Sequence, residues 1–181
     1  MTILISGGSK SGKSMLAQEL TLRLAGGGKH YYVATMIPAD DEDRARIRRH
    51  LAEREGMGFE TIECGRELLT SLQEADQNAV FLLDSTTALL MNVLFPNPAS
   101  CEMDTEAAAR CAEELTVFAR TVRQAVIVSD WLYADAAHYD GSTELFRKAL
   151  AHIDRKLASV CDVVIEAAAG NFMLRKGELP L

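Results

Sequence analysis

Apolar positions along the chain follow two alternating patterns. Short, nearly continuous runs at Thr2–Ser6, Tyr31–Thr35, Val80–Asp84, Ala125–Ser129 and Val163–Glu166 read as strands, with Phe172–Arg175 a candidate last one. Uninterrupted runs of this kind belong to strands buried on both faces of a parallel sheet. Between them lie helical spacings at about 13–25, 40–55, 66–74, 86–95, 104–123 and 142–159. The clearest is 104–123, where Cys111, Ala112, Leu115, Phe118, Ala119 and Val122 trace one stripe. This alternation predicts an α/β fold, a mainly parallel sheet flanked by helices and joined by right-handed crossovers.

Breakers punctuate the pattern. Gly26-Gly27-Gly28 stops a helix, and Pro96-Asn97-Pro98 ends another and opens a loop reaching about Asp104. The stretch 130–142 fits neither period. It reads either as a substrate loop after a strand or as a peripheral helix with a ragged end. With no internal repeat and no dividing linker, residues 1–181 are expected to form a single domain.

Composition narrows the function classes. The 181 residues are 48% hydrophobic and 25% charged, which suffices for a sizeable core without disulfides or a structural metal. No apolar stretch is long enough to span a membrane. The net charge of −7 argues against a nucleic-acid partner, because phosphate-tracking surfaces carry a basic excess. Cys64, Cys101, Cys111 and Cys161 form no pair or cluster at zinc-ligand spacing. Ser6-Gly7-Gly8 cuts short the apolar Ile3-Leu4-Ile5, so no signal peptide is expected. Free thiols in the cytoplasm are the economical reading.

The first chemical signal is Gly7-Gly8-Ser9-Lys10-Ser11-Gly12-Lys13-Ser14, a full match to the phosphate-loop pattern between a strand and a helix. Glycines let backbone N–H groups turn inward around an anion, and the helix N-terminus adds partial positive charge. Lys13 is placed to reach the β- and γ-phosphates, and the Ser14 hydroxyl to ligate Mg²⁺. An ordinary glycine-rich turn is the competing account. Asp84, closing the run Val80–Leu83, stands where doubly wound folds bind ligands. It could hold Mg²⁺ through water, bond a nucleotide base, or simply cap the next helix.

A second signal lies in the 40–55 helix, acidic at its start and basic in its middle, an order that suits the helix dipole. Arg46, His50 and Arg54 recur at i, i+4 and i+8 and are expected on one face. Flanking guanidiniums disfavour protonation of an imidazole and suit phosphate oxygens, which would leave His50 neutral and nucleophilic. A solvated charged face accounts for the same spacing. His30, His138 and His152 lack metal-ligand company and read as surface residues. Trp131 and Tyr133 read equally as pocket lining or as core filling.

The phosphate loop, Tyr32-Val33-Ala34-Thr35, Arg46-Ile47-Arg48-Arg49-His50, Thr61-Ile62-Glu63-Cys64, Leu82-Leu83-Asp84-Ser85-Thr86-Thr87 and Asn92-Val93-Leu94-Phe95 follow one another in order. Together they resemble the bifunctional adenosylcobinamide kinase/adenosylcobinamide-phosphate guanylyltransferase family of cobalamin biosynthesis. The resemblance implies that His50 is the histidine that becomes guanylylated. It also implies that Gly7 to Ser14, Ala34, Thr35, Leu51 and Arg54 after His50, Glu63 and Asp84 contact the guanine nucleotide. GTP, ATP and adenosylcobinamide or its phosphate are the implied substrates, and a homotrimer the implied assembly. The likeness is close over residues 2–95 and looser beyond. Asp130-Trp131-Leu132-Tyr133 stands where the family usually shows Asn-Glu-Val-Gly, and Asp154 where it usually shows Asn. On the residues alone, a kinase of another small alcohol or a nucleotide-dependent switch stays open.

Overall fold

Each of the short apolar runs read as a strand becomes one. In the computed structural model, which describes residues 1–97, 102–133 and 137–179, seven strands form one sheet. They are β1 (Thr2–Gly7), β2 (His30–Ala34), β3 (Glu60–Glu63), β4 (Val80–Asp84), β5 (Gln124–Asp130), β6 (Val163–Ala168) and β7 (Asn171–Lys176). The spatial order is β3-β2-β4-β5-β1-β6-β7. All neighbours pair in parallel except β6 and β7, which form an antiparallel hairpin.

The helices are α1 (Lys13–Ala25), α2 (Asp41–Glu53), α3 (Leu68–Ser71), α4 (Thr86–Leu94), α5 (Thr105–Thr121) and α6 (Gly141–Val160). Because side chains alternate across a strand, each central strand feeds two cores. Leu4, Phe81, Leu83, Ala125 and Ile127 point into the layer filled by α4, α5 and α6. Ile3, Ile5, Leu82, Val126 and Val128 point the other way, against Ala17 and Leu20 of α1. That double burial is why the strands read as continuous apolar runs.

Two expectations needed correction. β3 carries no apolar run: of its four residues only Ile62 is even partly buried. It joins the edge through backbone pairing with β2, a link that leaves no hydrophobic signature. The helix expected at 66–74 shrinks to the single turn α3, anchored by buried Leu68. The core of the irregular stretch, residues 134–136, and residues 98–101 of the predicted loop lie outside the described residues. Cys64, Cys111 and Cys161 are buried free thiols. Burial pushes Cys161 up to about 11 and Cys111 up to about 12, so both stay protonated and unreactive. No helix among the described residues is long and apolar enough to cross a membrane.

Candidate nucleotide site

The carboxyl ends of β1, β2, β4 and β5 lie side by side, and the phosphate loop springs from the first. Gly12 caps α1 in left-handed backbone, φ 88°, a conformation glycine adopts freely. Gly7 meets a different demand: a Cβ there would collide with the Ala167 carbonyl of β6. Ser11 is 5% exposed, and its hydroxyl has no hydrogen-bond partner among the described residues. Lys13 is buried at the loop's centre. Its Nζ donates to the Gly8 carbonyl at 3.0 Å and pairs with Asp130 Oδ1 at 2.7 Å. Ser9 and Lys10 are exposed, while Gly8 and Ser14 are half-buried.

Asp84 ends β4 two strands away, half-buried, and accepts the Tyr32 hydroxyl at 3.1 Å. Burial pushes its carboxyl above the usual carboxylate range. The Tyr32 bond and the charge at His50 pull it back, Asp130 raises it, and Lys13 lowers it. The helix-capping account of Asp84 fails, because Ser85 is the cap and its Oγ accepts from the Ala88 N–H at 3.3 Å. The Asp84–Ser85 peptide is cis.

On α2 the side-chain partners differ from those the spacing suggested. The helix ends at Glu53 and Arg54 is its C-cap, still in right-handed helical backbone. Its guanidinium lies 3.4 Å from the centre of the Tyr32 ring, buried, with Nη1 unpartnered among the described residues. His50 instead meets a carboxylate: its Nδ1 lies 3.1 Å from Glu53 Oε2. The expectation of a neutral imidazole held between two guanidiniums is therefore corrected to an imidazole oriented by an acid. In the tautomer that donates Nδ1–H to Glu53, the ring presents its Nε2 away from that carboxylate. The side chain is about one third exposed, at 31%. Leu51 is exposed on the same helix.

Glu63, Ala34 and Asp84 share one register row across β3, β2 and β4. Thr35, just beyond β2, is fully buried, and its hydroxyl is committed to the backbone. Its Oγ1 donates to the Ser85 carbonyl at 2.8 Å and accepts the Ser85 N–H at 2.7 Å. Asn92 Nδ2 donates to the Thr35 carbonyl at 2.7 Å and the Gly65 carbonyl at 2.8 Å. A largely apolar cavity of about 500 Å³ opens beside these residues, lined by Ile37, Arg66, Met91, Phe95, Thr143 and Phe146 among others.

One network was not anticipated. Asp154 of α6, 5% exposed, accepts the Ser6 hydroxyl at 3.0 Å and the Tyr133 hydroxyl at 2.7 Å. Burial pushes its carboxyl up, the nearby Ser129, Tyr133 and Ser6 hydroxyls oppose the shift, and Asp130 adds to it. Trp131 N–H donates to the Gly7 carbonyl at 2.9 Å, continuing the β5 pairing past its end. Asp154 and this bond fix the segment that places Asp130 on Lys13. Tyr133 therefore fills a gap beside the core, whereas Trp131 stays 39% exposed. His30 is buried rather than on the surface, its Nδ1 and Nε2 facing the Gly28 and Met57 carbonyls at 2.8 and 2.9 Å. His138 and His152 are exposed as expected.

A metal fits the donor set in one way. No group of three His, Cys, Asp or Glu among the described residues could hold an ion alone. Ser14 and Asp84 offer the hard hydroxyl and carboxylate oxygens that Mg²⁺ takes beside phosphates.

Comparison with known proteins agrees with a nucleotide site here. The model of the family described as cobinamide kinase/cobinamide phosphate guanyltransferase matches residues 3–174. The bifunctional adenosylcobalamin biosynthesis protein CobU of Salmonella typhimurium is 37% identical over 97 residues, 52% of this chain and 51% of that protein. The match thus spans only about half the length of that relative. The bifunctional adenosylcobalamin biosynthesis protein CobP of Pseudomonas aeruginosa is 29% identical over 180 residues, 98% of this chain and 99% of that one. Among solved structures, an ATPase from the type III secretion system of pathogenic bacteria superposes with TM-score 0.53 and 14% identity, covering 92% of this chain and 51% of that one. A KaiC-like protein of Pyrococcus horikoshii superposes with TM-score 0.50 and 14% identity, covering 98% of this chain and 79% of that one. These likenesses place the fold with the P-loop NTPases.

Proposed function

The chain belongs to the cobinamide kinase/cobinamide phosphate guanyltransferase family, and from that premise we propose that it carries out both steps on adenosylcobinamide. In the first, a nucleoside triphosphate on Gly7–Ser14 gives its γ-phosphoryl group to the substrate's aminopropanol hydroxyl, releasing the diphosphate. The loop amides and Lys13 stabilise the charge that develops on the transferred group. Lys13 must let go of Asp130 to do so. Mg²⁺ held by Ser14 and Asp84 would neutralise phosphate charge when bound.

In the second step His50 Nε2 attacks the α-phosphorus of GTP, forming a P–N bond and expelling pyrophosphate. A phosphate oxygen of adenosylcobinamide-phosphate then displaces the imidazole, giving adenosylcobinamide-GDP and free His50. Glu53 holds the ring and stabilises the positive charge it gains on attack. Arg54, with its spare Nη1–H, and Glu63 are assigned to the guanine nucleotide, together with Ala34, Thr35 and Leu51. Thr35 contributes through its backbone, since its hydroxyl is spent. The cavity at Ile37 and Phe146 is assigned to an edge of the corrinoid, being too small for the whole ring. We further propose a cytoplasmic homotrimer, each chain a single transferase domain.

The observation that carries the reading is the His50–Glu53 contact at 3.1 Å on a partly exposed ring. The test is intact mass after incubation with GTP and Mg²⁺. An acid-labile GMP adduct on the wild-type chain, lost in His50→Ala while cobinamide phosphorylation persists, is expected. An adduct that survives in His50→Ala removes His50 as the nucleophile. Loss of phosphorylation as well would make His50 part of the kinase site.

A further inference from the structure

The two flanks of the phosphate loop differ. On the β5 side the loop is closed, by the Trp131–Gly7 bond and by Asp130 on Lys13. On the β6 side the chain turns back through Ala169 and Gly170, both with positive φ, and sets Phe172 against the loop. A Cβ on Gly12 would lie 3.4 Å from Phe172 Cζ, so the ring rests beside the backbone that caps α1. Phe172 nonetheless remains 44% exposed, and Met15, in the first turn of α1, is 76% exposed. Apolar surface is thus left in water beside the phosphate loop, on its β6 side.

The polar groups of the hairpin are already committed. Arg175 is paired with Glu166. Lys176 Nζ donates to the Ala158, Ser159 and Cys161 carbonyls at 3.0, 3.1 and 2.7 Å. Asn171 Nδ2 donates to the Ala169 carbonyl at 3.2 Å. What the hairpin offers a ligand at the loop is an aromatic face. A nucleotide whose terminal phosphates fill the loop must lead its ribose and base out past the start of α1, where Phe172 and Met15 lie exposed.

We infer that Phe172 is the stacking platform for the purine base of the triphosphate used in phosphoryl transfer. This subsite lies across the loop from Arg54 and Glu63, the residues assigned to the guanine of the guanylyl donor. It rests on the reading that Gly7–Ser14 hold the phosphates. Stacking accepts any base, because every base has a π-face, so the subsite would not select adenine over guanine. Two base positions around one cradle let the γ-phosphate reach an acceptor in one mode and the α-phosphate reach His50 in the other.

The test compares ATP with inorganic tripolyphosphate, which has no base, by calorimetric titration of the full chain. Phe172→Ala should weaken ATP binding about tenfold and leave tripolyphosphate binding unchanged. Phe172→Trp, which keeps a ring, should bind ATP as the wild type does. Its added indole emission should be quenched by ATP and not by tripolyphosphate. Unchanged ATP affinity in Phe172→Ala, or equal weakening of both ligands, overturns the subsite while the phosphate loop stands. If Lys13→Ala leaves both ligands bound as tightly as before, the phosphate-loop reading itself fails, and the subsite with it.

Discussion

At the scale of single residues, the pairing of Lys13 with Asp130 is the most consequential contact, because it occupies the cation that the triphosphate needs. At 2.7 Å and with Lys13 almost fully buried, the pair competes with phosphate oxygens for the ammonium. Removing only the charge of Asp130 separates the two consequences. Asp130→Asn leaves a buried ammonium without its counter-ion, which destabilises the free protein. It also removes the carboxylate that competes with the phosphates for Lys13. The mutant should therefore melt a few degrees lower without ligand, bind ATP roughly threefold to tenfold more tightly, and gain more from ATP than the wild type does. Thermal melts with and without ATP, together with a titration, check all three. Equal affinity in the two proteins would mean that Asp130 follows Lys13 into the complex. The glycines of the loop divide similarly. Gly7→Ala pushes β1 against Ala167 of β6 and should cost about 2 kcal/mol, whereas a Cβ on Gly8 meets nothing within 4 Å. Gly8→Ala should leave the unliganded melting temperature unchanged.

Among elements, α6 controls the site without touching the phosphate loop itself. Asp154 brings a carboxylate into an interior where three hydroxyls gather, and burial disfavours its charged form. A carboxyl raised above its unfolded value contributes stability that is complete below the unfolded value and lost as pH rises through the folded one. Asp154→Asn has no charge to bury and can still accept from Ser6 and Tyr133 through its amide oxygen. It should be more stable than the wild type at pH 8, by about 3 °C for each 1 kcal/mol gained. The advantage should shrink as pH falls through the raised carboxyl range. Melting curves from pH 8 to pH 4 measure it, and a constant difference would show that packing rather than charge sets the effect.

The same scale shows what a reader of the sequence can see. The buried strands and the phosphate loop were legible because their signals are local: continuous apolar runs, and a loop of fixed spacing between strand and helix. β3 was not, since its pairing uses backbone groups common to all residues. The spacing that set Arg46, His50 and Arg54 together could not show that Arg54 stacks on Tyr32 or that His50 meets Glu53, because both partners are chosen by tertiary packing and rotamer. Nor could spacing reveal Asp154 beneath Ser6, 148 positions apart. Spacing offered His50 beside the alternative of a solvated face, and the chain order of the motifs, matched as a set, decided for it.

For the whole molecule, the sheet makes ligand binding a matter of global stability. The phosphate loop grows from β1, which is hydrogen-bonded to β5 on one side and β6 on the other. Asp84 and Thr35 lie at the ends of β4 and β2, which Thr35 ties together. A ligand that binds across these four strand ends is lost entirely when the sheet unfolds, so its binding energy adds to folding stability. At 100 times its dissociation constant, ATP should add about 2.7 kcal/mol, roughly 5–10 °C for a chain of this length. Lys13→Ala removes the central cation but leaves Asp130 partly exposed, so that carboxylate can be hydrated in place of its lost partner. The unliganded melting temperature should then fall by no more than a few degrees, while the shift at the same ATP concentration disappears. A mutant that keeps the full ATP shift would place the triphosphate away from β1. One that unfolds without ligand at room temperature would make Lys13 a structural residue first.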